Sequence, residues 1–590
     1  MSGIAGFMDI SYHFLEQEEK WREIVNQMAM QTNRGEQAQA LMTKHYAASC
    51  VNQKKEPAAF LEQSRGGNRY LVVFDGELTN RDTLYAELKG RGYSFQSRTD
   101  TEIALITYMQ FGENCAQKLE GIYAFAVWDD ARQRCFLCRD RMGGRKLCFA
   151  QCGTAMAFSS TPTGLFAFPG IRQEIGRKGW CALLAAAPLL LPEESLFQGV
   201  SVLPPGHAIV WEQGESRIFP YFALDDEEHP DNYDKTVRTA RDLLFDAVTA
   251  RLENPEHLGV WLDRRADAGL VTAVAAGNLT KRLHTFSLEP PDETGLEDGA
   301  ALGVKWPDLV SGVLRTDHHN LIWENSNIAD ALYHAVAVGC LPGTCAEFSA
   351  VFFQLCNQMK EKHQILLTGA CGRPLFGQCS WTEDEPSSRS FLFHSWEKRR
   401  GYFQQDWIYS LQPEEYLHYL WETALERAPK SYGETGTVRT GRQEECLSAI
   451  WSLRTALELA DCLGNSTGLS IRTPMADARL VQYLLRIPAE IKWRGGRKDV
   501  FLRDVMRGLL PDSLFPREKS ALVLPPQGYG VLIRSRLAAI LADRSQPLHT
   551  VIDAGSIQNL MKEPLSSVSL QNTSYFLQLN EWMRAFHLAP

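Results

Sequence analysis

Short apolar runs broken by turn residues fill the first 222 positions. Runs at 3–9, 70–74, 123–128, 135–139 and 155–159 read as strands. Helical spacing covers 79–91 and 100–111, and 207–211 with 217–222 reads as a closing hairpin. Layered sheets with interleaved helices predict an α+β domain over 1–222. The stretch 223–234 (ALDDEEHPDNYD) is acidic, polar and interrupted by Pro230, the pattern of a linker. Beyond it the period changes. Helix 233–252, strand 258–262, helix 270–276, strand 283–288 and strand 364–368 alternate, which predicts a parallel sheet. From about residue 400 onward the spacing is mostly helical. The second domain is therefore expected to be α/β with a helical C-terminal part, over 223–590.

One strand-to-helix turn stands out, 258–269 (LGVWLDRRADAG). A strand-loop-helix turn aims backbone N–H groups at a ligand, and the helix start favours anions. Such loops normally use Gly and Ser, because phosphate approaches the backbone closely. Here the positions hold Asp263, Arg264, Arg265, Ala266, Asp267 and Ala268. The arginines can be read as a new anion pocket, since guanidinium binds phosphate and carboxylate in bidentate fashion. They can equally be read as partners of Asp263 and Asp267.

Composition narrows the classes. Hydrophobic residues make up 44% of the 590, enough for a large core. A net charge of −10 argues against nucleic-acid binding. The apolar stretch 182–192 is too short to span a bilayer and reads as a core helix. No basic-then-apolar leader opens the chain, so a cytoplasmic protein is expected. Its 14 cysteines lack the spacing of a disulfide scaffold and are expected to be reduced. Cys135 with Cys138, and Cys148 with Cys152, sit in strand-like runs where i and i+3 face opposite ways, so no metal is expected there. Asp317, His318 and His319 read as a solvated turn rather than a metal site.

The chain opens Met1-Ser2-Gly3-Ile4-Ala5-Gly6. Removal of Met1 would leave Ser2 with a free α-amine, a candidate nucleophile. Then come 75–80 (DGELTN), 99–102 (TDTE), 119–129 (LEGIYAFAVWD) and 139–143 (RDRMG). In this order the segments resemble the class II glutamine amidotransferase domain of asparagine synthetases. That family starts M-C-G-I-x-G and continues N-G-E, S-D-x-E, L-x-G-x-F-A-F-A-x-W-D and R-D-x-x-G. The resemblance runs on through 203–207 (LPPGH), 285–287 (TFS), 471–474 (IRTP) and 580–586 (NEWMRAF). It implies an Ntn-type αββα sandwich followed by an ATP-pyrophosphatase-type domain with a PP-loop.

The resemblance also says what is missing. The family nucleophile is a Cys thiolate; here it is Ser2, a weaker one. The oxyanion Asn is Asp75, followed by the retained Gly76. Glu77 and Asp100 remain from the glutamine pocket, while 44–49 (KHYAAS) supplies no arginine and H-R-G-P-D has become 33–37 (NRGEQ). In the synthetase domain, S-G-G-x-D-S keeps only Asp267. The second motif, S-G-E-G-A-D-E, is Thr368, Gly369, Ala370, Cys371, Gly372, Arg373 and Pro374, so its three carboxylates are gone. Leu262, Asp263, Arg264, Arg265, Asp267, Ala268, Thr368, Gly369, Arg373 and Lys498 outline the degenerate nucleotide site.

The expectation is an asparagine synthetase-like homologue that does not turn over. It would act as a scaffold, or as partner or regulator of an active amide-forming homologue, in a homodimer if it follows its family. No cofactor is then expected. Two alternatives stay open. One is an ATP-dependent amide- or lactam-forming synthetase with atypical site residues, which would need ATP and Mg²⁺. The other is a sensor of an anion or small molecule.

Overall fold

The computed structural model describes residues 2–32, 35, 37–52, 60–65, 67–186, 189–225, 227–252, 256–289, 305–343, 346–378, 388–429, 436–494, 497, 499–515 and 526–588. The chain divides into two compact units: Met1–Gly176 with Leu190–Leu224, and Arg177–Leu189 with Asp225–Pro590.

The first unit holds twelve strands: β1 (Ser2–Met8), β2 (Gln37–Met42), β3 (Tyr46–Asn52), β4 (Phe60–Arg65), β5 (Asn68–Leu78), β6 (Gly121–Asp129), β7 (Arg134–Arg139), β8 (Cys148–Cys152), β9 (Ala155–Ser159), β10 (Ser201–Val202), β11 (His207–Glu212) and β12 (Glu215–Pro220). They form two six-stranded antiparallel sheets, ordered β10-β8-β9-β1-β3-β2 and β12-β11-β7-β6-β5-β4. The period of two explains why the strands read as continuous apolar runs. Leu71, Val73, Ala126, Trp128, Leu137 and Trp211 face Ile4, Tyr46, Met156 and Phe158 across the inter-sheet core. The alternate residues Val72, Phe74, Phe125, Val127, Phe136 and Val210 pack on the helices Arg81–Gly90 (α1) and Asp100–Phe111 (α2). Both faces are covered, so neither needs polar residues. Cys135 lies in the first of these cores and Cys138 in the second, on opposite faces of β7 as the alternation requires. Burial pushes both thiols up, which keeps them protonated and inert.

The second unit holds β13 (Leu258–Trp261), β14 (His284–Glu289), β15 (Asp317–Ile322), β16 (Ile365–Thr368) and β17 (Ser470–Arg472). All pairs are parallel, in the order β15-β14-β13-β16-β17. Helices Tyr233–Thr249 (α3) and Ala266–Asn278 (α4) flank β13 in sequence, and long helices such as Gly436–Thr467 and Ser567–Ala585 make up much of the remainder. None of the helices among the described residues is long and apolar enough to cross a membrane.

Two local expectations are corrected. Helix α4 starts at Ala266, not 270, so Asp267 and Ala268 belong to its first turn. An acidic residue there complements the helix dipole, a start signal that the glycine and alanine content of the segment obscured. Residues 317–319 are not a turn but the beginning of β15. That strand closes one edge of the sheet, where polar side chains are tolerated and mimic a loop.

Candidate active sites

The first site is built on the end of β5. Asp75, Gly76 and Glu77 follow one another, opposite Ala124, Tyr123 and Ile122 of β6. Gly76 has φ +134, and a Cβ there would lie 2.1 Å from the Ile122 carbonyl oxygen. Only glycine fits such a position. Asp75 is fully buried. Its Oδ1 stands 3.4 Å from Arg145 Nε, and its Oδ2 accepts from Ser160 Oγ at 3.4 Å. Ser160 Oγ in turn accepts the Ile4 N–H at 3.1 Å. Ile4 is two residues along β1 from Ser2, whose backbone pairs with Asn52. The carboxylate is thus tied to the strand that begins at Ser2. Arg145 and Ser160 were not legible as site residues, since nothing in their spacing links them to Asp75.

Asp100 opens α2, and its Oδ2 accepts the Leu78 N–H at 3.1 Å, with Arg81 Nη1 3.9 Å from Oδ1. It pins the end of β5 to the helix. Glu77 is half-buried beside it. Asn33, Arg34 and Glu36 lie outside the described residues.

The motif positions that persist hold the fold. Glu102 is buried and accepts the N–H groups of Gln96, Ser97 and Arg98 at 2.6, 2.7 and 2.9 Å. Asp140 accepts from Met142, Gly144, Arg145 and Tyr123 at 3.1, 3.0, 3.0 and 3.3 Å. Burial raises the Asp140 carboxyl, while Arg139 and those N–H groups hold it back. Arg139 donates to the carbonyls of Arg145, Leu203 and Gly143.

The second site lies where β13 and β16 pair, Trp261 against Thr368. The strand order reverses there, the point at which open parallel sheets form their ligand crevice. Leu262 is buried and donates to Phe286 O at 2.8 Å. The loop then turns on Asp263, which accepts the Arg265 N–H at 2.9 Å and its Nε at 2.7 Å. This is an Asx turn reinforced by an ion pair. Arg265 Nε also lies 3.7 Å from Asp267 Oδ1. Asp267 is buried; its Oδ1 accepts the Ala268 N–H at 3.0 Å and its Oδ2 the Arg373 N–H at 3.1 Å.

The partner loop closes on the first. A Cβ at Gly369 would sit 2.5 Å from Ala268 N, so the two backbones touch. Thr368 Oγ1 accepts the Ala370 N–H at 3.2 Å. Arg264 Nη2 donates to Glu289 at 3.1 Å, at the end of β14, and Arg373 Nε donates to Gln378 at 3.1 Å. Lys498 lies outside the described residues.

Electrostatically the loop neutralises itself. Burial raises Asp263, and the Arg265 guanidinium pulls it partly back. Burial works against the charge on Arg265, but Asp263 and Asp267 outweigh it and the guanidinium is held raised. Asp263 and Asp267 are spent on the chain's own N–H groups and guanidinium, and Ala370, Arg373 and Pro374 offer no side-chain oxygen.

Two antiparallel sheets joined to a parallel one define the class, which the comparisons then sharpen. Residues 1–222 match the family described as a glutamine amidotransferase domain. Residues 239–584 match the family described as asparagine synthase, and the chain belongs to that family. Asparagine synthetase [glutamine-hydrolyzing] 3 of Bacillus subtilis is 28% identical over 100% of this chain and 99% of its own. Asparagine synthetase [glutamine-hydrolyzing] 1 of the same organism is 21% identical over 77% of this chain and 76% of its own. Among solved structures, the allosteric regulatory enzyme of purine biosynthesis aligns with 54% of this chain and 80% of its own, at 13% identity and TM-score 0.28, too low to bear on the argument.

Proposed function

We propose that this member of the asparagine synthase family is catalytically inactive. It acts as a scaffold, or as partner or regulator of an active amide-forming enzyme. One observation carries the reading. The Asp263 carboxylate sits on the N–H and guanidinium of Arg265, so an anion of the chain itself occupies the start of α4. That is where the family loop receives pyrophosphate, and the Asp263 carboxylate would repel it there. The first site supports the same reading, with a carboxylate at Asp75 where oxyanion donors are needed. In this reading the chain uses neither ATP nor Mg²⁺, resides in the cytoplasm and divides into an Ntn-type domain over 1–222 and a PP-loop-type domain over 223–590. A homodimer follows from the family.

An anion sensor is less well supported, because Glu289, Asp263 and Gln378 already engage Arg264, Arg265 and Arg373. An ATP-dependent amide- or lactam-forming synthetase would need the loop to open. The test is turnover. With glutamine, aspartate, ATP and Mg²⁺, release of glutamate, AMP and pyrophosphate is expected to equal that of a Ser2→Ala/Asp267→Ala control. Product above the control would overturn the proposal.

A further inference from the structure

The opposite end of the parallel sheet carries chemistry that the family's reactions do not use. His284 is the first residue of β14 and Asp317 the first of β15, and the two are in register. Two residues along, Phe286 faces His319, which puts both imidazoles and the carboxylate on one face. His284 Nδ1 lies 3.2 Å from His319 Nε2 and 3.4 Å from Asp317 Oδ2. His319 Nε2 lies 3.8 Å from the same oxygen.

Three ligand atoms converge there. Zinc bound at its usual nitrogen and oxygen distances, in a tetrahedron, separates neighbouring ligand atoms by about 3.3 Å. The observed triangle of 3.2, 3.4 and 3.8 Å matches that edge. A second feature points the same way. His363, just before β16, holds its ring 5.1 Å from that of His284 at a tilt of 53° and is only 6% exposed, and its Nδ1 is buried without a hydrogen-bond partner. Such a nitrogen is a buried polar atom without a partner, on a ring next to His284.

We propose that His284, Asp317 and His319 form a binding site for a zinc-class divalent ion at the N-terminal end of the parallel sheet, with the fourth position open to solvent. The ion would staple the edge strand β15 to β14. Asp317 and His319 remain 54% and 41% exposed as side chains, so the ion has a path of entry. Two imidazoles and one carboxylate favour zinc, cobalt or nickel over calcium or magnesium.

The test uses the full chain, stripped with a chelator and titrated with Zn²⁺ and, separately, with Co²⁺. One equivalent per chain is expected, with visible cobalt bands of a four-coordinate nitrogen and oxygen environment. Affinity should weaken by at least about tenfold in His284→Ala and in His319→Ala, as ligand loss does even in outer shells. The exposed His418→Ala, on helix Pro413–Arg427, should bind as the parent does. Asp317→Asn, at an exposed residue, gives the same readout should a histidine variant fail to fold. Zinc should also raise the parent's melting temperature by mass action. Intense thiolate charge transfer in the near ultraviolet would overturn the proposal, because it would place the ion on cysteine. Undiminished affinity in a His284→Ala/His319→Ala variant would overturn it equally.

Discussion

Arg265→Ala is expected to destabilise the second unit by about 3 kcal/mol at neutral pH, the low end for breaking a buried ion pair. The low end applies because the Arg265 and Asp263 side chains keep 22% and 19% of their surface in water. The variant leaves Asp263 and buried Asp267 facing each other without their shared cation. The pH dependence has a definite sign. Burial already raises Asp263, with Arg265 pulling it down and Asp267 pushing it up. Without Arg265 only the upward influences remain. A carboxyl whose folded pKa lies above its unfolded value binds more protons in the folded chain. The stability it contributes is full below the unfolded value and is lost as pH rises through the folded one. The deficit against the parent should therefore be widest at neutral pH and narrow toward about pH 5. Melting temperatures of parent and variant at both pH values check this, and a deficit that ignores pH would rule out the mechanism. Removing both charges, as Asp263→Ser/Arg265→Gly, should recover most of the loss. It should also let inorganic pyrophosphate raise the melting temperature, which it should not do for the parent.

Much of this was legible because burial on both faces writes itself into sequence. The strands around Val73, Phe125 and Phe136 are apolar without interruption, since successive residues enter two different cores. The Asp263–Arg265–Asp267 cluster was also legible as one of two readings, because charges that close in sequence can pair across one turn. Other features left no local signal. Arg145 meets Asp75 only through the antiparallel stacking of distant strands. Glu289 receives Arg264 because β13 and β14 run parallel and the loop after β13 continues beside the last residues of β14. β15 looked like a turn because an edge strand can be polar. Its histidines acquire meaning only in register with His284, a non-local fact.

Glu102, Arg139 and Asp140 serve backbone groups and persist. The lost positions are those that the family directs at substrate, and two of them now hold a carboxylate facing an arginine. The same physical event is therefore inferred twice, in unrelated folds.

The Asp75–Arg145 pair allows that inference to be measured. Arg145→Leu should destabilise the first unit by about 4 kcal/mol, because a fully buried carboxylate loses its ionic partner. Asp75→Asn puts back the residue of the family motif and keeps an amide oxygen to accept from Arg145, so its loss should be smaller, although the buried guanidinium is left without its anion. In Asp75→Asn/Arg145→Leu neither charge remains, and the loss should fall short of the summed single losses by about 2 kcal/mol, within the range for residues in contact. Chemical unfolding of the four proteins measures this coupling. A value near zero would mean that the two side chains do not sense one another. A value near the expected one would mean that Asp75 cannot revert alone. Restoring asparagine would strand Arg145 where glutamine's oxyanion donors belong, and each charge would hold the other in place against reversion.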